Sequence, residues 1–584
     1  MWVFLVSLVL SFFIFGNGIS GEFVFDDATV VQNRPDIKDA GNFFNLFASP
    51  YHQNNPKTGL YRPLTMASYA LNHYINGAPA GFHVVNIIIH ALNSFLVFWL
   101  VNFLFKNKFL SYSTFLLFLT HPIHTEAVTS IVGRAELLAF FWSFITVYFF
   151  IKKHTLLSLL SFLFALLSKE ISLMILPVFF YIDLALLKNK LFLTLKRVLF
   201  FVLPLGVYLI LRYMALGEYF LGDSAMTIVT NPLKFVTISE RIITAFKVLY
   251  LYIEKLVWPV RLSADYSYNS IPVISNLLDP FFLSGIGFLG LLLFLLFYTK
   301  TNKTAFAFGS LLFLSPYLMI SNLVILVGTI MGERLMYFPS FGFLLLFSCL
   351  LFKLSEKVGK KFIYFIPVLL AVFYSARTII RNNDWHDSKT LFSATVNVSP
   401  NSLITRAALA AVYIKNDEWS EAREQLTIAR SIHEDYSRIQ NLLGIVADHD
   451  GDYALAEEKY KRSLELNPNA VDSSINLAEL YLKQGRLEEA GEQFLVVINF
   501  YSTVEYAVRY SYIQIALNKP DNALDIISKH LSSSPDRHDI NAVVGTAYFV
   551  KKDYGQALIY LKKARELGNK ASEITQMIEI AEQK

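Results

Sequence analysis

The sequence predicts an all-α protein in two parts. Residues 1–384 read as a polytopic bundle of membrane helices, and residues 385–584 as a solenoid of helix pairs. Three observations carry this. Of the 584 residues, 54% are hydrophobic and 15% aromatic, with a mean hydropathy of +0.44. That is more apolar surface than a water-soluble chain of this size needs. Charges are sparse through the first part and ordinary in the second. The second part also recurs with a period of 34 residues.

Taken in order, the first part holds eleven apolar runs: 1–16, 82–105, 109–120, 135–151, 155–168, 171–187, 196–214, 277–299, 304–327, 335–352 and 362–380. The first lacks a basic leader and a small-residue cleavage site, so it reads as a retained helix. A twelfth stretch, 240–260, carries Arg241, Lys247, Glu254 and Lys255. Four charges suit an interfacial or re-entrant segment better than a spanning one. Basic loop residues cluster at Lys106 and Lys108, Lys152 and Lys153, Lys188 to Arg197, Lys300 and Lys303, and Lys353 to Lys361. All fall on one side if the N-terminus is cytoplasmic and 240–260 does not cross. An odd number of spans then puts the second part on the non-cytoplasmic side.

The second part fits the tetratricopeptide pattern of small, aromatic and proline positions. Ala410, Gly444 and Ala478 recur at intervals of 34, each followed by its Ala at 422, 456 and 490 and a large residue at Leu426, Tyr460 and Phe494. A fourth unit (Ser511, Ala523, Ile527) is one residue out of phase, and a fifth (Gly545, Ala557, Leu561) follows it by 34. Residues 572–584 read as a capping helix. Such units bury their faces only against neighbours and stack into a concave groove, suited to holding a polypeptide or to stiffening the protein.

Composition excludes some classes. The net charge is +5 with no Lys/Arg run, which argues against nucleic acid as a partner. The one cysteine, Cys349, excludes an intrachain disulfide and a cysteine metal cluster.

On this topology the polar residues that a lipid-facing bundle does not need gather on the outer side. They are Asp26 and Asp27 after the first run; Arg62; His121, His124, Glu126, Arg134 and Glu136; and Glu333 and Arg334 at the mouth of a helix. Each has a plainer reading as a turn residue, an interhelical hydrogen bond or a structural ion pair. The spacing of His121, His124 and Glu126 is not that of a sharp zinc site, and no metal is assigned. As a set they suit one chemistry. An acidic pair outside the membrane can act as general base on a hydroxyl, and arginines at the boundary can hold the phosphate leaving group of a lipid-linked sugar.

Phe-Asp-Asp after the first helix, YRPLT, FHVVNIIIHAL, HPIHTEAVTSIVGRAELLA, GERLMYFPSFGF and RNNDWHDSKTLF occur in this order before the repeats. Together they resemble the transmembrane and tetratricopeptide repeat-containing (TMTC) protein O-mannosyltransferases, of the GT-C class of membrane glycosyltransferases. The resemblance implies mannose transfer from dolichyl-phosphate mannose to Ser/Thr of a protein, with the repeats in the lumen. It places the base on Asp26 or Asp27, with Asp27 preferred. It makes Arg62, His121, His124, Glu126, Arg134, Glu136, Glu333 and Arg334 candidates for binding the donor or substrate. The Phe/Ile/Lys/Asn-rich composition and small number of repeats also suit a prokaryotic protein, whose donor would be an undecaprenyl- or archaeal dolichyl-phosphate sugar. The membrane would then be the cell membrane, and otherwise that of the endoplasmic reticulum. The alternative is a non-catalytic membrane scaffold whose repeats recruit partners.

Overall fold

The computed structural model describes residues 2–53, 55–222, 226–297, 304–500 and 503–584. Lys300 and Lys303, counted above among the basic loop residues, lie outside them. The described residues form helices and no strand. The chain divides into two compact units, Met1–Leu409 and Ala410–Lys584. The change in composition near residue 384 thus precedes the structural division, and the helix Ser388–Val398 belongs to the first unit.

The first unit is organised on Pro79–Phe105, a helix of 27 residues packed against Trp2–Phe15, Lys108–Thr120 and Arg134–Ile151. It is mostly apolar and carries a buried polar stripe. Asn86, His90 and Asn93 are spaced four and three apart, which puts them on one face. That face points inward. Asn86 Nδ2 donates to the carbonyls of Val128 (3.2 Å) and Ser130 (3.1 Å). His90 lies between the Tyr337 hydroxyl (2.8 Å) and the Leu119 carbonyl (3.1 Å), and Asn93 Nδ2 donates to Leu137 O (3.0 Å). Val128 ends a short helix, and the Val132 amide turns to Asp27 instead of the Val128 carbonyl, which leaves that carbonyl for Asn86; Ser130 O also accepts from the Gly133 amide.

The stretch from 120 to 137 is therefore no surface loop. It winds through Pro122–His124, Thr125–Val128 and Ile131–Gly133 into the next helix, and every residue in it is buried. Tyr337–Val358 and Thr304–Ile320 come close enough to need glycine at both contact points. A Cβ on Gly342 would meet Gly309 O at 2.5 Å, a small-residue contact of the kind that membrane helices use.

Seven stretches among the described residues are long and apolar enough to cross a membrane, judged by length and composition. They are Trp2–Ser20, Pro79–Phe105, Ile131–Ile151, Leu191–Tyr219, Pro280–Phe297, Glu333–Lys357 and Phe362–Asp384. Thr155–Ser168 and Thr304–Ile320 are shorter. The short run 109–120 forms Lys108–Thr120, 13 residues. Other expected runs differ in the structure: 171–187 is broken into Glu170–Ile175, Leu176–Tyr181 and Ile182–Leu186, and the helix of 304–327 stops at Ile320. The charged stretch 240–260 forms the helix Ile238–Val257, opened by a capping box between Thr237 and Glu240. It is absent from the seven.

The second unit is a stack of antiparallel helix pairs: Ser437–His449 with Tyr453–Leu466, Val471–Lys483 with Leu487–Phe500, Val504–Ala516 with Pro520–Ser533, and His538–Val550 with Tyr554–Glu566. The small residue of each repeat has a packing cause. A Cβ on Gly444 would meet the Tyr460 ring at 2.5 Å, and one on Gly545 would meet Leu561 Cγ at 2.7 Å. The terminal helix Ser572–Glu582 covers the last pair with Ile574 and Ile578, as a cap should.

Candidate functional site

Asp26 and Asp27 stand at the start of the short helical turn Ala28–Gln32. The residue before them, Phe25, has φ +55°, uncommon for a side chain other than glycine. Successive residues on a helix point roughly 100° apart, and the two carboxylates part accordingly. Asp27 is fully buried, whereas the Asp26 side chain is 40% exposed. Asp27 Oδ1 accepts from the Val132 amide (2.9 Å), and its Oδ2 accepts from those of Val24 (3.3 Å) and Ile131 (3.4 Å). Burial pushes its carboxyl up to about 7, against the downward pull of these amides. Asp27 fastens the segment that follows the first helix to the turn Ile131–Gly133. This corrects the preference for Asp27 as base, because a base must reach an incoming hydroxyl and Asp27 has no exposed oxygen.

Asp26 faces Arg334, whose Nη2 lies 3.8 Å from Asp26 Oδ2. Arg334 is held from behind by Glu126. The Glu126 carboxylate accepts from the Arg334 amide at 2.8 Å and from its Nη1 at 2.6 Å. Burial raises the Glu126 carboxyl, and the Arg334 guanidinium opposes this. Glu333, next to Arg334 in the chain, does not pair with it. Its Oε1 accepts from the Ser263 amide and the Tyr266 hydroxyl, each at 2.6 Å. A structural Glu333–Arg334 ion pair is thus ruled out, since neighbours on the tight turn Glu333–Met336 point apart.

Two more ion pairs adjoin. Arg62 grips Glu170 with both forks, at 2.6 and 3.2 Å, and stands over the Tyr51 ring. Lys169 pairs with the buried Glu136. Tyr51 and His52 lie within the field of this group. Burial pushes the Tyr51 hydroxyl up to about 12, with Arg62, Asp26 and Arg334 acting on it. Burial pushes the His52 imidazole down; Asp26 raises it, while Arg62, Arg34 and Arg334 lower it.

The structure therefore gathers Asp26, Arg62, Glu126, Glu136 and Arg334, and adds Tyr51, His52, Lys169 and Glu170. The last two were visible in the sequence as a charged pair between two apolar runs on the expected outer side. Tyr51 and His52 lie in an aperiodic segment that gave no signal.

The remaining candidates are used internally. Arg134 is fully buried, and its guanidinium donates to Asn86 Oδ1 (2.8 Å), Asn72 Oδ1 (2.8 Å), Phe82 O (2.9 Å) and Ser68 O (3.2 Å). It braces three segments and has no face for a phosphate, which corrects its assignment as a phosphate ligand. His121 bonds Leu256 O (3.0 Å) and accepts from the Ile123 amide (3.2 Å). His124 bonds Phe118 O (2.9 Å) and Ser340 Oγ (2.8 Å). With both ring nitrogens of each engaged in the core, neither histidine reaches a substrate in this arrangement.

The family description "Protein O-mannosyl-transferase TMTC, DUF1736" matches residues 224–293. This chain carries the TMTC domain. The domain supplies Ser263 and Tyr266, the partners of Glu333. Tetratricopeptide repeats match at 407–471 and 449–499. A Caenorhabditis elegans protein O-mannosyl-transferase is 30% identical over 414 residues, covering 68% of this chain and 58% of its own. Human protein O-mannosyl-transferase TMTC3 is 26% identical over 602 residues, covering 93% and 65%. Human TMTC1 is 29% identical over 450 residues, covering 66% and 50%. The chain thus spans between half and two thirds of the length of these TMTC relatives. Among solved structures, YrrB, titled a TPR protein with an unusual peptide-binding site, is similar over 34% of this chain and all of its own, with 15% identity and a TM-score of 0.30.

Proposed function

We propose that this TMTC-like chain is a membrane glycosyltransferase. It moves a sugar, mannose by analogy with the names of its relatives, from a polyprenyl- or dolichyl-phosphate donor to Ser/Thr hydroxyls of a protein. The reaction takes place on the non-cytoplasmic face, and the repeats bind the acceptor. One observation carries the reading: Asp26 is a partly exposed carboxylate beside a guanidinium whose position is fixed by a buried glutamate.

Asp26 takes the proton of the acceptor hydroxyl. The oxygen attacks the anomeric carbon from the face opposite the phosphate, the bond from that carbon to the phosphate oxygen breaks, and the configuration inverts. The charge that develops on the departing lipid phosphate falls to Arg334, with Arg62 beside it. Because Glu126 already orients Arg334, little reorganisation is needed at the moment of reaction.

The test is transfer in vitro. Purified protein in nanodiscs receives radiolabelled polyprenyl-phosphate sugars and membrane-extracted acceptor proteins, with Asp26→Asn alongside. Label on protein with the wild type but not the variant supports the reading and identifies the donor. If no donor gives label while the repeats still capture partners, the scaffold reading replaces it.

A further inference from the structure

Between the end of the helix Thr304–Ile320 and the turn Glu333–Met336 the chain is aperiodic. Its backbone has no helical partners there and must find others. The TMTC domain, matched at 224–293, supplies them along the whole stretch. Arg241 donates to the carbonyls of Asn322 (2.9 Å) and Leu323 (2.6 Å). Asn231 Nδ2 donates to Val327 O (2.7 Å). The Tyr252 hydroxyl accepts from the Gly332 amide (3.0 Å) and donates to the Gly332 carbonyl (3.2 Å). Ser263 and Tyr266 then hold the Glu333 carboxylate. Tyr252, Ser263, Tyr266 and Glu333 are all buried.

The next residue is Arg334. A turn of this type has about three residues per revolution, so Glu333 and Arg334 leave it about 120° apart. Fixing the direction of Glu333 therefore fixes that of Arg334. The Tyr252 hydroxyl, spent on both polar groups of Gly332, sets where the turn begins. Glu126 then receives a guanidinium already directed toward it.

We infer that the TMTC domain is the frame that aims Arg334, with Tyr252 and Tyr266 as its positioning residues. Both act through the turn and not on the donor. This rests on the reading of Arg334 as the group that takes up charge on the departing phosphate, and it gives the domain a part in that step. A guanidinium aimed in advance need not reorganise as the charge develops. Loosening the frame should therefore lower kcat and leave the donor KM nearly unchanged.

The test uses the full chain in nanodiscs with Tyr252→Phe and Tyr266→Phe, each of which removes one hydroxyl. Tyr317→Phe is the matched control. Tyr317 packs edge-on against Tyr252, and its buried hydroxyl has no hydrogen-bond partner among the described residues. One readout is independent of transfer. Arg334 is 28% exposed, and its modification by phenylglyoxal is followed by mass spectrometry with Arg62 as internal reference. It should run about fivefold faster in each of the two variants, the effect of one lost hydrogen bond on the population of an opened turn. The other readout is transfer. There kcat should fall about tenfold in each variant, with the donor KM within about twofold of the wild type. Tyr317→Phe should match the wild type in both. Tyr266→Phe leaves the Ser263 amide on Glu333, so it keeps the turn folded even if Tyr252→Phe does not, and melting temperatures are checked in parallel.

Arg334 modified at the wild-type rate in folded Tyr266→Phe, or modified as fast in Tyr317→Phe as in the other two, would overturn the frame. A raised donor KM with kcat unchanged would overturn it as well, since the tyrosines would then belong to donor binding. Faster modification in both variants with no transfer by the wild type counts against the transferase reading alone. Transfer by the wild type with modification and kcat unmoved in both variants counts against the frame alone.

Discussion

The ion pairs of the first unit and those of the repeat array use the same side chains to different ends. Glu126–Arg334 and Arg62–Glu170 join residues more than a hundred positions apart. Both are partly buried, the Glu126 side chain being 2% exposed and that of Arg334 28%. The array pairs join residues one turn or one repeat apart, and most lie in solvent, as Arg430 and Glu434 do. A buried pair fixes where two distant segments meet, and losing one member leaves an uncompensated charge. An exposed pair holds two flexible side chains against water and contributes little. In the first unit, then, the informative charge is the one left incompletely paired, Asp26, whose nearest cation lies 3.8 Å away.

The sharpest way to break this comparison is Asp26→Asn. If the open carboxylate is the base, transfer should fall at least about 100-fold, the lower end for a general base, with the melting temperature unchanged. A comparable fall in stability would instead class Asp26 with the buried struts. Glu126→Gln comes next. It leaves Arg334 without its anchor, and we expect a loss of about 3–5 kcal/mol of stability, the usual cost of breaking a buried pair, read from thermal unfolding in detergent together with lost transfer. Stability unchanged by Glu126→Gln would mean that Glu126 does not hold Arg334 in place.

Asp27 gives a smaller, pH-dependent effect. Its carboxyl sits near 7 in the fold and near 3.9 in an unfolded chain, so between those values the folded state holds a proton that the unfolded state releases. Its contribution to stability is greatest below that window and declines as pH rises through it. The difference in melting temperature between wild type and Asp27→Asn, measured from pH 4 to pH 8, should show this decline and level off above 7. A flat difference would remove the linkage. The smallest effect belongs to the array, where Arg430→Ala should leave the melting temperature unchanged within error. A clear drop there would erase the contrast between the units.

Much of this architecture was legible in the sequence because it repeats or alternates. Gly444 and Ala478 keep the 34-residue interval because a large residue of the partner helix packs on them, and such spacing survives translation into pattern. The identity of several cluster residues was legible too, since charges beside apolar runs stand out. Pairing was not. Asp26 and Asp27 read alike, as did Glu333 and Arg334. In each case, neighbours on a tight turn part company, and their partners come from segments with no fixed offset: the Val132 amide for Asp27, Glu126 for Arg334. Arg134 looked like a phosphate ligand because an arginine at a helix mouth usually has a free fork. The four acceptors that occupy it come from two other helices, Pro63–Ile75 and Pro79–Phe105.

The stripe of Asn86, His90 and Asn93 has a consequence for how the chain is made. The helix that carries it leaves the ribosome before residues 119 to 137, which supply most of its partners. Until they follow, three polar side chains face either lipid or the insertion machinery, and lipid is the costlier surroundings. The helix should therefore linger beside the insertion channel and partition into the bilayer only together with Arg134–Ile151. Stalled nascent chains long enough for Pro79–Phe105 to clear the ribosome while residues 119 to 137 remain inside it should crosslink to the channel, and chains long enough to expose Arg134–Ile151 as well should not. Replacing all three stripe residues with leucine should release the short chain early.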